Sequence, residues 1–392
     1  MSDSLLLNET CRFKLQPNDE QAAILEDLFK SYSEMVKACL DRAIRLNLTS
    51  RRRLHEAIYK ELRTKYPNHP SHYIYTAITQ ALSIFKSYRR LSRKRGEINP
   101  PRIEKLNTIL LDDAHLFWFS WGCVRLATHK GHIAIPFRVH KHSMKFMGWQ
   151  VKGSRLVKFN NEYYLHVTFR RTVEERKSEG VLGIDVNECS IDLAVVKPGK
   201  VRFIKINISE AKHVRGRYFR KRRSIQSKTS GKTRARLLAK YSGRERRRVN
   251  DVLHRAAKIV AGVVAEENAR PVMEELTHIR ERIRYGRVMN RRLHSIPFRR
   301  IQLYISYKGM ERGFKPETVK AENTSRTCPM CGEISKPNGH VFKCRRCGFQ
   351  ADRHFVAAWN IAMKLLMCRP LPLAAKATHE ALAEVERIVI KS

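Results

Sequence analysis

Two Cys-x-x-Cys pairs, Cys328-Pro-Met-Cys331 and Cys344-Arg-Arg-Cys347, stand twelve residues apart. That spacing suits tetrahedral thiolate binding of one zinc ion, with bonds of about 2.3 Å. Gly332 and Gly348 follow the pairs directly and supply tight turns that bring backbone amides to the sulfurs. Pro329 stiffens the first turn. Four thiolates close the coordination sphere, so the predicted metal is structural. A redox reading needs an isolated pair on a thioredoxin-like framework, which this chain lacks. Asp352 follows almost at once, where a helical pattern opens. A metal knot beside a lone acidic residue reads as an insertion in a catalytic fold rather than a free-standing finger.

The charge balance narrows the partner. With 78 Lys and Arg against 37 Asp and Glu, the 392-residue chain carries a formal net charge of +41. Such an excess faces a polyanion, with nucleic acid the first candidate and an acidic membrane surface the second. No stretch approaches the roughly 20 apolar residues of a spanning helix. The start, Met1-Ser-Asp-Ser-Leu-Leu-Leu-Asn, lacks the basic and apolar regions of a secretory signal. A cytoplasmic protein with no membrane partner is expected. Cys11, Cys39, Cys123, Cys189 and Cys368 show no disulfide spacing and read as small core residues in a reducing compartment.

The chain is long enough for two or three domains. Cys11-Arg-Phe-Lys-Leu alternates like a strand and stops at Pro17. Asn18 then caps a helix, with Asp19 and Glu20 in its first turn, where the dipole favours negative charge. Helical spacing continues at Leu54–Leu62 and from Tyr73 to about Leu91. From about Val124 to Arg171 the pattern is β, including a hairpin across Asn160-Asn161. The lone N-terminal strand is expected to join that sheet. Beyond a charged linker come three short strands. A basic stretch from Lys212 to Arg248 follows, running into an amphipathic helix, then a strand ending at Glu274, a helix from about Pro297 to Arg312 and a strand near Val319. The order β-β-β-α-β-α-β, metal insert, α predicts an α/β fold of the RNase H-like type.

Three carboxylates occupy telling places. Asp185 ends a nearly all-apolar strand, Glu274 ends another, and Asp352 opens a helix. In an RNase H-like sheet the first and fourth strands are neighbours and the last helix packs across their ends, so the three converge. Converging carboxylates repel unless cations lie among them. Two Mg²⁺ ions, for which Mn²⁺ substitutes, meet that need; one activates water and the other stabilises the leaving oxygen of a phosphodiester. Taken singly, Asp352 also serves as a helix cap and Glu274 is as easily solvated as Glu275.

At these residues the chain resembles the TnpB (OrfB) family of transposon-encoded, RNA-guided nucleases, relatives of the type V CRISPR effectors. The matching pieces are Gly183-Ile-Asp185, Val272-Met-Glu274-Glu-Leu276, Thr324-Ser-Arg-Thr-Cys328-Pro-Met-Cys331-Gly, and Cys344-Arg-Arg-Cys347-Gly through Asp352-Arg353 to Asn360-Ile. They span the C-terminal half in the family's order; the first half matches more loosely, through Phe13-Lys-Leu-Gln-Pro17 and Gln21. The resemblance implies a RuvC-like nuclease domain at 179–322 and 350–368 with Asp185, Glu274 and Asp352 as its triad, and a four-cysteine zinc ribbon at 323–349. It further implies a β-barrel wedge domain at 1–17 and 111–178 carrying a helical recognition insertion at 18–110, and a tail at 369–392. The implied partners are a guide RNA from the transposon end, target double-stranded DNA and, functionally, a separate transposase. The implied setting is prokaryotic and nucleoid-associated. Two positions depart from the common family pattern: Asn187 stands where many members have Gly, and His354 where many have Asp. His354 reads most simply as a helix-surface residue.

Arg215, Arg217, Arg220, Lys221, Arg222 and Arg223, with Arg244, Arg246, Arg247 and Arg248, form the densest basic clusters. They are the expected contacts to nucleic-acid phosphates, which give affinity and salt dependence while base pairing to the guide reads sequence. Trp118, Phe119, Trp121, Tyr163 and Tyr164 are able to stack on bases, but core packing is expected for most. Two other readings are a nuclease-inactive nucleic-acid-binding regulator on the same scaffold and an accessory transposition protein. A transposase that joins strands itself needs either a retained DNA-joining site or a Tyr nucleophile beside a His-hydrophobe-His metal pair, and no such pair is present.

Overall fold

The computed structural model describes residues 4–96, 98–276, 285–366, 381–382 and 384–390. Cys368 and most of the 369–392 segment therefore lie outside the described residues. The chain divides into two compact units, Asn8–Arg171 and a second made of Met1–Leu7 with Thr172–Ser392.

The first unit starts within β1 (Ser4–Lys14), which is followed by helices α1 (Asp19–Arg45), α2 (Arg51–Lys65) and α3 (His72–Arg95). Asn18 makes a full capping box: its side chain accepts the Gln21 N–H, and the Gln21 side chain accepts the Asn18 N–H. Strands β2 (Thr108–Leu111), β3 (Phe117–Ser120), β4 (Cys123–Thr128), β5 (Gly131–Pro136), β6 (Gln150–Phe159) and β7 (Glu162–Glu174) follow. One sheet runs β1-β7-β6-β2 and a second runs β3-β4-β5. The N-terminal strand thus pairs with β7, as its alternation predicted. Asn160 and Asn161 turn the β6–β7 hairpin with φ of 50° and 60°, the left-handed pair of a type I′ turn.

The helices and both sheets bury one common core, including Phe13, Phe29, Tyr32, Phe85, Leu126, Leu156 and Phe169. The hydroxyl of Tyr73 on α3 donates to the Ala127 carbonyl of β4 at 2.7 Å. Phe119 and Trp121 pack around Phe13 and Phe169, and Tyr163 is buried with its hydroxyl on Glu26. Trp118 and Tyr164 are half-buried, with the guanidinium groups of Arg125 and Arg12 over their rings.

The second unit is built on a six-stranded mixed sheet. Its strands are β8 (Gly180–Val186), β9 (Ser190–Lys197), β10 (Lys200–Asn207), β11 (Ala269–Glu274), β12 (Glu317–Val319) and β15 (Glu386–Val389). Their order is β12-β11-β8-β9-β10-β15. β8, β9 and β10 are antiparallel neighbours, while β11 is parallel to β8, β12 to β11 and β15 to β10. The first and fourth strands are therefore adjacent, as the carboxylate reading required. The segment after 369, read from sequence as a tail, contributes an edge strand to this sheet.

Helices α4 (Ser209–Lys228), α5 (Gly231–Tyr241) and α6 (Arg244–Glu266) replace the single basic run. Helices α7 (Arg287–Ser295) and α8 (Phe298–Met310) precede β12; β13 (Val341–Lys343) and β14 (Gln350–Asp352) pair within the metal insert; α9 (Arg353–Leu365) follows. Strand alternation assigns the faces. Leu182, Ile184 and Val186 pack with Val252, Leu253, Val260 and Val264 of α6, whereas Val181, Ala194 and Val196 pack with Ala358, Trp359 and Ala362 of α9. Gly183 and Asp185 share the α9 face. A Cβ on Gly183 would lie 1.9 Å from the Ala358 carbonyl oxygen and 2.8 Å from the Ala362 nitrogen. Only glycine lets α9 close on β8.

Candidate active site and metal centre

Asp185 stands near the carboxyl end of β8 and is buried. Its cross-strand partner on β9 is Asp192, which is 0% exposed. The Asn187 side-chain amide donates to Oδ2 of Asp185 at 2.7 Å and to Oδ2 of Asp192 at 3.1 Å. The Ser190 hydroxyl donates to the same Asp192 oxygen at 2.5 Å. Burial pushes the Asp192 carboxyl above its usual range, and the charge of Asp185 adds to that, against the Ser190 hydroxyl and the Lys205 ammonium.

Lys205 on β10 bridges two acids. Its Nζ is 2.9 Å from Oδ2 of Asp352 and 3.2 Å from Oδ1 of Asp192. Asp352 is the N-cap of α9, and its Oδ1 accepts the His354 N–H at 2.9 Å. Burial alone would raise the Asp352 carboxyl; the His354 N–H and Lys205 outweigh it and hold it low. The same two carboxylates raise the Lys205 ammonium despite its burial.

Glu274 ends β11, where it accepts the Thr324 hydroxyl, while Gln302 on α8 donates to its backbone carbonyl at 2.7 Å. Burial pushes its carboxyl up to about 7, with the Asp185 charge reinforcing that against the Thr324 hydroxyl. Glu275, its rival in the sequence, is exposed. Asp185 and Glu274 thus stand at the ends of adjacent parallel strands and Asp352 opens the helix packed against β8, while the side chains whose ligand atoms lie within 4.8 Å of one another are Asp185, Asp192 and His354.

Two expectations need correction. His354 is buried rather than on a helix surface, with Nδ1 3.1 Å from Oδ2 of Asp185. Both departures from the family pattern, Asn187 and His354, therefore touch the same carboxylate oxygen. Arg215 is buried rather than on an exposed basic face, donating to the Ser295 carbonyl at 3.2 Å and lying 4.0 Å from Glu188. Arg222 is half-buried and ion-paired with Glu245. Arg217, Arg220, Lys221, Arg223, Arg244, Arg246, Arg247 and Arg248 are exposed. Lys221 and Arg244 flank the Tyr241 ring at 3.9 and 5.3 Å. Asp192 and Lys205 escaped the sequence reading, although a charge inside Ile191-Asp-Leu-Ala-Val-Val carries the same signal that singled out Asp185.

The four cysteines converge. Their sulfurs all lie within 4.8 Å of one another, with Cys328 to Cys347 at 3.6 Å and Cys331 to Cys344 at 3.5 Å. A tetrahedron with 2.3 Å bonds has edges of about 3.8 Å, so the set fits one ion. Gly332 and Gly348 take φ of 76° and 73°, and the Cys347 N–H donates to the Cys344 sulfur at 3.5 Å. The Asn360 amide of α9 donates to the Thr324 and Thr327 carbonyls, each at 2.7 Å. One helix thus secures the knot and carries Asp352 at its start. No helix among the described residues is long and apolar enough to cross a membrane.

Known proteins share parts of this chain. The family model described as the Cas12f1-like TNB domain matches residues 298–361, and that of the uncharacterised MJ0013 family matches residues 28–127. TnpB-like protein MJ0751 of Methanocaldococcus jannaschii is 34% identical over 204 residues, covering 50% of this chain and 73% of that one. The CRISPR-associated endodeoxyribonuclease Cas12f1 of Sulfoacidibacillus thermotolerans is 32% identical over 114 residues, 28% of this chain and 26% of that one. A solved Cas12f1–sgRNA–target DNA complex aligns with a TM-score of 0.39 at 17% identity, over 91% of this chain and 99% of the other.

Proposed function

We propose, from the premise that this chain belongs to the TnpB-like family and is related to type V CRISPR effectors, that it is an RNA-guided DNA endonuclease of a mobile element. The reading is supported by Asp185 and Glu274 standing at the ends of adjacent parallel strands, with Asp352 at the start of the helix packed against β8. The strand order β10-β9-β8-β11-β12, three antiparallel and then two parallel, supports an RNase H-like, RuvC-type nuclease domain. The donor set is oxygen-rich and buried beside like charges, which favours a divalent-metal centre, Mg²⁺ by the sequence reading. Bound metal would activate water and stabilise the leaving oxygen of a phosphodiester.

The chain's own residues prepare that centre. Asn187 holds the Asp185 and Asp192 carboxylates side by side, Thr324 orients Glu274, and Lys205 fixes Asp352. Burial raises the Glu274 carboxyl to about 7, and a cation beside it would favour its ionised form. The four-cysteine knot is a structural zinc ribbon that packs on α9 and is held by the Asn360 side chain. The exposed arginines of α4 and α6 would bind the phosphates of guide RNA or heteroduplex, with sequence read by base pairing. Any association with a separate transposase would be functional.

A second reading draws support from Lys205, whose ammonium lies between Asp192 and Asp352 and offsets part of their charge without a metal: a regulator that binds nucleic acid without cutting. Sequencing the RNA that co-purifies with the protein, then adding a plasmid matched to its variable end, separates the two. A defined transcript and a cut plasmid support the nuclease; a defined transcript without cutting supports the regulator. Bulk cellular RNA would contradict both.

A further inference from the structure

We infer that a divalent ion of this site is held by Asp185, Asp192 and His354, and that this mixed carboxylate–imidazole set selects a transition ion such as Mn²⁺ over Mg²⁺. The inference rests on the metal-nuclease reading and specifies its ion.

The three side chains offer ligand atoms that all lie within 4.8 Å of one another. Nδ1 of His354 and Oδ2 of Asp185 are 3.1 Å apart, near the edge of roughly 3 Å that two adjacent ligands of an octahedral ion span with bonds of about 2.1 Å. Asp192 is 0% exposed, and its Oδ1 accepts no well-formed hydrogen bond. That oxygen is ion-paired with Lys205 at 3.2 Å, and the ligand atoms of Asp185 and His354 lie close by. A fully buried carboxylate oxygen with no hydrogen bond is costly unless a cation completes it. Asn187 clamps the two aspartates together through their Oδ2 atoms.

Asp352, by contrast, has both oxygens engaged. Oδ1 caps its own helix and Oδ2 holds Lys205. The ring of His354, two residues on, is the group that α9 extends to Asp185. An imidazole nitrogen alters the ion preference. Mg²⁺ favours all-oxygen shells and sheds water reluctantly, whereas first-row transition ions accept nitrogen and oxygen together.

The test uses the full-length chain with its zinc retained and nucleic acid removed. Mn²⁺ is titrated by electron paramagnetic resonance, pulsed spectra report nitrogen coupling, and Mg²⁺ serves as competitor. The expected result is a bound Mn²⁺ coupled to one nitrogen and displaced only by at least tenfold more Mg²⁺. His354→Asp should remove the coupling and most of that preference, and Asp192→Asn should weaken Mn²⁺ binding at least tenfold. His354→Asn, with circular dichroism matching the parent, controls for misfolding. Absent Mn²⁺ binding, binding without nitrogen coupling, or coupling that survives His354→Asp would each overturn the inference. Guided cleavage with a nitrogen-free ion would overturn it while leaving the nuclease reading intact. A nitrogen-coupled ion in a protein that never cuts would do the reverse.

Discussion

Asp192 faces Asp185 across the β8–β9 pair, and a single amide, that of Asn187, donates to both carboxylates. Two acids as cross-strand partners in a buried sheet oppose folding unless donors and cations compensate. Asn187, Ser190, His354 and Lys205 all contact this pair. Donors and one ammonium thus surround a pair of buried acids at this end of the sheet.

Asp192→Asn removes one of the two charges while keeping the shape and the Ser190 partner. Without added metal the variant should be at least as stable as the parent, by on the order of 1 kcal/mol. Guided cleavage should fall at least tenfold. Urea melts in chelator together with a cleavage assay check this; a less stable variant with full cleavage would show Asp192 to be purely structural.

Cys344→Ser removes one of four converging sulfurs. Zinc content should drop from one per chain toward zero, and the melting temperature should fall, because ribbon metal binding is itself folding free energy. Elemental analysis of the purified parent is the companion measurement. A parent with no zinc would refute the ribbon assignment.

Gly183→Ala places a Cβ 1.9 Å from the Ala358 carbonyl oxygen. Helix α9 must then lift from β8, at a cost upwards of about 3 kcal/mol. Both Asp352 and His354 ride on that helix, so cleavage should be lost along with stability. A melt indistinguishable from the parent would show that the close contact is relaxed without cost.

In the first unit, His69 stacks on His129 with ring centroids 4.9 Å apart. Burial holds its imidazole down to about 4, with His129 and Arg63 adding to the effect. The unfolded chain therefore takes up this proton first as pH falls below about 6.5. Stability of the Asn8–Arg171 unit should decline between about pH 6.5 and 4, with a slope from this group no steeper than about 1.4 kcal/mol per pH unit. His69→Phe should flatten that decline in pH-dependent melts; an unchanged slope would assign it to other groups.

The sheet was legible where local chemistry is decisive. An apolar run stopping at Asp185 marks a buried strand, Asn160-Asn161 marks a hairpin, and Asn18 with Asp19 and Glu20 marks a helix start. Asp192 was harder because its depth depends on α6 and α9 covering both faces of β9, a fact that no local window contains. His354 looked like a surface residue for the same reason: helical spacing does not reveal that Gly183 draws α9 onto β8. Arg215 hid within a basic run because a charge cluster says nothing about which member a helix turns inward. The edge strand β15 pairs with β10, far away in sequence, and its short run gave no period.

The central claim is that Asp185 anchors a nuclease centre in an otherwise intact RNA-binding protein. The direct measurement is metal-dependent cleavage of guide-matched DNA by the Asp185→Ala protein, alongside its yield of co-purified RNA. The account predicts cleavage reduced by at least a thousandfold, on the order of 4 kcal/mol in barrier, with RNA recovery unchanged. Cleavage at the parent rate would contradict it.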